Sequence, residues 1–188
     1  IEGKSENFIG IYQINDDKLF EKVIKFYEEN KSLHNAGVMG GQKFDPSLKN
    51  ATEIVISPND LKDNKYKIFS EYISHLQNCY VAYSNKYPFV KSLGNLKMGR
   101  FQIQKYELGG HNKGWHTERD SLNLSQRVFA WMTYLNDVNE TGETEFLHFG
   151  LKFKPKKGQT LIWPANWTHA HRGNIVEKKE KYILTGWL

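Results

Sequence analysis

Arg127–Leu135 reads RVFAWMTYL. The stretch is dense in aromatic and β-branched residues, the types that fit a pleated, buried strand. Outward from it, Phe101–Tyr106 alternates as FQIQKY, and Glu145–Phe149, Thr160–Trp163 and Tyr182–Leu188 are further short strand candidates. Gly, Asn and Pro clusters separate these runs at intervals typical of an all-β sandwich or barrel.

The first half carries helical signals. Asp16 and Asp17 precede apolar residues at 19, 20, 23, 24, 26 and 27, with Lys31 near the end. Acidic start, 3.6-residue period and basic finish predict one helix. Thr52–Ser57 (TEIVIS) reads as a short strand. Tyr66, Phe69, Tyr72, Ile73, Leu76, Cys79 and Tyr80 then fall at helical spacing, and Pro88 closes the region. The expected fold class is α+β, mainly β. A jelly-roll, or double-stranded β-helix, core over about 98–188 is buttressed by helices within about 1–97, in one domain spanning 1–188. A Gly-containing loop around Gly37–Pro46 has the make-up of a substrate lid.

Composition excludes several classes of function. Hydrophobic residues make up 39% of the 188 and charged residues 25%, which suits a packed core rather than a disordered chain. A single cysteine, Cys79, excludes an intrachain disulfide or a thiolate metal cluster, and it falls on the apolar face of the second helix. The net charge of +5 favours acidic partners or an anionic co-substrate without pointing to nucleic acid. No apolar run long enough to span a membrane is present, and no signal-peptide pattern opens the sequence. The expectation is a cytoplasmic protein with no membrane partner.

His116-Thr-Glu118 carries the chemistry. In an extended stretch, residues two apart share a face, so an imidazole and a carboxylate converge there. A second histidine from a distant strand would complete a two-histidine, one-carboxylate facial set, the arrangement of non-haem Fe(II) oxygenases. Alone, His-x-Glu is also what a polar strand surface carries. His169 and His171 both offer the second imidazole; they sit two apart, and spacing does not choose between them. Lys181 follows ten residues after His171, where a cation projecting into a barrel could hold a carboxylate; a buried lysine needs such a partner.

In order, these residues resemble the prolyl 4-hydroxylase-like branch of the 2-oxoglutarate and Fe(II)-dependent oxygenases, especially its small bacterial and phage members. Tyr106 stands ten residues before His116. Tyr134-Leu-Asn-Asp137, Thr141-Gly-Glu-Thr-Glu-Phe146, Lys154-Pro-Lys-Lys-Gly-Gln-Thr-Leu-Ile-Trp-Pro164, His171-Arg-Gly173 and Lys181-Tyr-Ile-Leu-Thr-Gly-Trp-Leu188 each resemble a family stretch. The resemblance implies a jelly roll, and Fe(II), 2-oxoglutarate and dioxygen as metal and co-substrates, with ascorbate as an accessory. It implies His116, Glu118 and His171 as metal ligands, favouring His171 over His169 because the match continues through Lys181. It implies Lys181 on the distal carboxylate of 2-oxoglutarate with the Tyr134 hydroxyl, and Tyr106 near the metal or co-substrate. Trp187 is expected to pack in the core, His111 to lie in a loop, and Trp115, Trp131, Trp163 and Trp167 to lie near the site. Two departures stand out. The family carboxylate is usually Asp, whereas here it is Glu118, with Asp120 at the wrong spacing to replace it. The proline that usually follows the second histidine is absent from Arg172–Val176.

The activity implied is hydroxylation of a prolyl residue in a peptide or protein, with release of succinate and carbon dioxide. The alternatives are a free amino acid, another side chain or a nucleic-acid base as substrate, or a non-catalytic jelly-roll binding protein.

Overall fold

The computed structural model describes residues 3–38 and 45–188. Most of the proposed lid, residues 39–44, lies outside them. In chain order the strands are β1 (Gly3–Glu6), β2 (Ile9–Gln13), β3 (Asn35–Ala36), β4 (Lys49–Asn50), β5 (Thr52–Ile56), β6 (Phe101–Tyr106), β7 (His111–His116), β8 (Phe129–Tyr134), β9 (Thr144–Phe146), β10 (Leu151–Phe153), β11 (Gln159–Pro164), β12 (His171–Gly173) and β13 (Lys181–Trp187). Two helices, α1 (Asp17–Glu29) and α2 (Lys67–Lys86), separate them. An eight-stranded sheet runs β1-β2-β11-β8-β13-β6-β5-β3, and a five-stranded sheet runs β10-β9-β12-β7-β4. Every pairing is antiparallel, and the two sheets form a jelly roll.

β8 explains why RVFAWMTYL decides the fold. All six of its residues are buried. Phe129 and Trp131 face the helices, while Ala130, Met132 and Tyr134 face the interior between the sheets. A strand covered on both faces has no polar alternation to show, so it reads as a continuous apolar run. Each side chain of this size that is fully buried contributes roughly 1.5–3 kcal/mol.

The helices cover the outer face of the large sheet. Asp16 caps α1 by accepting from the Leu19 amide at 3.0 Å. Leu19, Phe20, Val23, Phe26 and Tyr27 form its buried stripe. Phe69, Tyr72, Leu76, Cys79 and Tyr83 form that of α2. The Tyr72 hydroxyl reaches Thr133 at 2.7 Å, which gives β8's one outward polar residue a partner. Neither helix is long and apolar enough to cross a membrane.

The division into helical support before residue 97 and β core after it does not hold. β1, β2, β3 and β5 belong to the large sheet, and β4 belongs to the small one. β1 and β2 escape a sequence reading because their two-residue turn is Asn7-Phe8, with φ of 48° and 62°. Such turns favour Asn-Gly, and a phenylalanine at positive φ is uncommon. Tertiary contacts hold it: the Phe8 carbonyl accepts from Tyr83 Oη at 2.9 Å, and the Asn7 carbonyl lies 2.9 Å from His169 Nε2.

Candidate metal centre

His116 ends β7 and His171 begins β12, and the two are directly paired across the ladder. Their rings therefore meet with centroids 4.3 Å apart. Glu118 lies two residues past the strand end. Thr117 Oγ1 anchors this turn by donating to the Ala165 carbonyl at 2.7 Å, and Arg127 donates to the Glu118 carbonyl at 3.1 Å. Glu118 Oε1 then lies 3.2 Å from His171 Nε2 and 3.8 Å from His116 Nε2. One donor atom from each of the three lies within 4.8 Å of the others.

Backbone carbonyls fix both tautomers. His116 Nδ1 lies 2.9 Å from the Gly114 carbonyl, and His171 Nδ1 lies 3.0 Å from the His169 carbonyl. A carbonyl can only accept, so each Nδ1 carries a proton and each Nε2 is the ring nitrogen turned to the site. Burial and the neighbouring His171 ring push His116 down to about 4, which keeps it neutral at physiological pH. Burial alone would raise the Glu118 carboxyl; the His171 and His116 rings and the Trp187 indole outweigh it and hold it at about 2. Two imidazole Nε2 atoms and one carboxylate converge. This donor set fits a divalent transition metal with an open coordination face.

Three of the expected residues take other roles. The Tyr134 hydroxyl lies 2.7 Å from Thr144 Oγ1 and 3.1 Å from the Phe153 carbonyl, and Tyr134 is not among the residues lining the cavity. Its hydroxyl proton is thus directed to partners within the protein. His169 does not share a strand face with His171, because Trp167–His169 forms a single 3₁₀ turn. Its ring points to Asn7 and Thr168, and only its backbone reaches the site. His111 is a buried residue of β7, not a loop residue. Asp120 is exposed. Of the four tryptophans, only Trp163 lines the cavity, 5.0 Å from the His171 ring.

The structure brings Lys181 and Tyr106 to the cavity of the three donor residues. They are paired across β13 and β6. Both line a cavity of about 140 Å³ that also holds the three donor residues. Lys181 is 2% exposed and donates to the Gly142 carbonyl at 2.8 Å, with Nζ 4.5 Å from the centre of the Tyr106 ring. Among the described residues it has no carboxylate partner within ion-pair distance. Burial pushes its ammonium down to about 7. A buried cation so placed is matched to an anion that enters the cavity.

Trp187 packs against the inner core cluster, as expected, and its other edge lines the cavity. Its indole N–H donates to Glu118 Oε2 at 2.7 Å, and the Arg127 guanidinium stacks 3.5 Å above its ring. The signal was the two-residue period of β13: residues 181, 183, 185 and 187 all line the cavity. Trp187→Phe keeps the stack but removes the donor that orients Glu118. Metal affinity is expected to fall on the order of 10–100-fold, measured by Mn(II) titration.

Comparison with known proteins agrees with this geometry. Residues 101–188 match the family model of the 2OG-Fe(II) oxygenase superfamily. The match takes in a little under half of the chain. A probable prolyl 4-hydroxylase 9 of Arabidopsis thaliana is 31% identical over 114 residues, covering 47% of this chain and 40% of that protein. The chain thus spans well under half the length of this relative. Among solved structures, a Pseudomonas putida prolyl-4-hydroxylase superposes with a TM-score of 0.71 at 15% identity, covering 95% of this chain and 90% of that one. A Trichoplax adhaerens prolyl hydroxylase, in complex with a hypoxia inducible factor peptide fragment, also gives 0.71, at 14% identity and covering 96% and 83%. At these identities the likeness shows the fold.

Proposed function

We propose that this protein is a 2-oxoglutarate- and Fe(II)-dependent dioxygenase that hydroxylates a prolyl residue of a peptide or protein. The observation that carries the reading is Lys181, a buried ammonium with no carboxylate within ion-pair distance among the described residues, in the same cavity as the His116, Glu118 and His171 donors. The prolyl substrate is carried over from the relatives' names and from the peptide complex of the Trichoplax protein.

His116 Nε2, His171 Nε2 and a Glu118 oxygen would hold Fe(II), leaving one face of the ion to ligands. Lys181 would take the distal carboxylate of 2-oxoglutarate, against the face of Tyr106. Trp187 and Arg127 hold Glu118 from behind, so the carboxylate keeps its direction as ligands exchange. Met132, Ile183 and Trp163 supply apolar wall, which limits water beside the reacting groups. Bound iron, with dioxygen and 2-oxoglutarate, supplies the oxidation of an unactivated C–H bond, with succinate and carbon dioxide as co-products.

The test is succinate release by protein reconstituted with Fe(II) and 2-oxoglutarate, with a panel of proline-containing peptides. Stimulation by at least one peptide is expected. Stimulation by a nucleic acid and by no peptide would overturn the prolyl reading.

A further inference from the structure

The cavity has a further polar wall, formed by Lys49 and by Asn112, whose Nδ2 lies 3.4 Å from His116 Nε2. Lys49 of β4 lines the cavity yet is only 5% exposed. Its ammonium donates to Glu53 Oε2 at 3.1 Å and to the Val38 carbonyl at 3.2 Å. An ammonium has three N–H donors. Glu53 also accepts from Gln104 Nε2 at 3.3 Å, and Tyr106 Oη donates to Gln104 Oε1 at 2.7 Å. A buried ion pair is weak evidence for stability, since a well-packed apolar pair often does as well. This one keeps a cation at a cavity wall.

Asn112 of β7 is the direct cross-strand partner of Lys49. Its Oδ1 is buried and has no hydrogen-bond partner among the described residues, although the side chain lines the cavity. On its other side β12 places Gly173, which has no side chain to cover the carboxamide. An N–H donor and an unpartnered acceptor therefore stand side by side on one wall. In an extended peptide, the N–H and C=O of a given residue point to the same side, as in a β-ladder. Such a residue would give its N–H to Asn112 and accept from Lys49.

We infer that Lys49 and Asn112 form a clamp for the backbone of an extended peptide substrate, gripping the N–H and C=O of one residue beside the residue to be oxidised. This rests on the peptide-substrate reading above. The gripped residue is not the proline itself, which has no N–H to give. The clamp reads backbone rather than side chain, so it selects peptide over free amino acid without fixing the flanking sequence.

The test uses full-length protein loaded with Mn(II) and 2-oxoglutarate, titrated calorimetrically with two blocked alanine-based peptides. One has a central proline and the other has alanine there. Lys49→Met alone would leave Glu53 buried without its cation, so it is paired with Glu53→Gln; Asn112→Ala is a separate variant that keeps the ion pair. Each variant is expected to weaken the proline peptide about tenfold, the size of one lost hydrogen bond. If the all-alanine peptide binds the wild type equally well and loses the same factor, the clamp stands and the prolyl reading fails. Equal peptide binding by wild type and both variants, or no binding of either peptide by the wild type, overturns the clamp. So does a parallel loss of 2-oxoglutarate affinity, which would mark a distorted cavity.

Discussion

His171→Ala is expected to abolish Fe(II) binding and succinate release, whereas His169→Ala should keep both within about tenfold. The two residues stand two apart in one short segment, so the contrast tests position rather than residue type. His171 brings its Nε2 to 3.2 Å from Glu118 Oε1, and alanine leaves the metal with two protein donors. What His169 gives the site is its carbonyl, which fixes the His171 tautomer at 3.0 Å and survives truncation to alanine. Its ring instead holds the Asn7 carbonyl at 2.9 Å, at the tip of the β1–β2 hairpin. The cost of His169→Ala should therefore fall on stability, about 1 kcal/mol for one lost hydrogen bond. Metal titration and thermal unfolding of both variants separate these outcomes. Loss of iron in His169→Ala alone would reverse the ligand assignment.

The same pair illustrates how far the site was legible in the sequence. Period-two reasoning works where the chain is a strand. It put His116 and Glu118 on one side, and on β13 it would have joined Trp187 to Lys181. It fails at Trp167–His169, because a 3₁₀ turn rotates successive side chains by about a third of a turn and breaks the face that His169 and His171 would share. Glu118 stands in for the usual aspartate with its second oxygen taken by the Trp187 indole at 2.7 Å. Tyr134 shows a second limit: its face is the interior one, and the partners of its hydroxyl there, Thr144 and the Phe153 carbonyl, come from distant strands. Partners contributed by distant strands leave no local pattern. The hairpin at Asn7-Phe8 and the two-residue strand β4 were missed because each is held by tertiary contacts rather than by its own propensities. The long amphipathic helices and the fully buried β8 carry their signal within a single stretch, and they were legible.

Lys181→Met should have two opposite effects. It is expected to weaken 2-oxoglutarate by about 100- to 1,000-fold, because a buried carboxylate would lose the ammonium that pairs with it. It is also expected to raise thermal stability, because the wild-type chain holds an ammonium in the interior at a cost that an unbranched thioether does not share. The sign follows from the proton count. Burial pulls the folded-state value of Lys181 down to about 7 from the ordinary lysine value of 10.5, so the unfolded chain binds more protons between those limits. Its destabilising contribution is complete below about pH 7 and fades as pH rises toward that of an ordinary lysine. The stability advantage of Lys181→Met should therefore be largest in acid and neutral buffer and shrink in alkaline buffer; part of it is offset by the Gly142 carbonyl, which loses its donor. The net gain at neutral pH is expected to be on the order of 1–3 kcal/mol. Ligand binding runs the linkage the other way. A carboxylate beside Lys181 favours the ammonium, so wild-type affinity for 2-oxoglutarate should be flat below about pH 7 and fall above it, with proton uptake on binding at pH 8. Calorimetry in two buffers of different ionisation enthalpy reads that uptake directly. A Lys181→Met protein that melts below the wild type at neutral pH, or a wild type that binds 2-oxoglutarate without taking up protons at pH 8, would show that Lys181 is not an ammonium awaiting its anion.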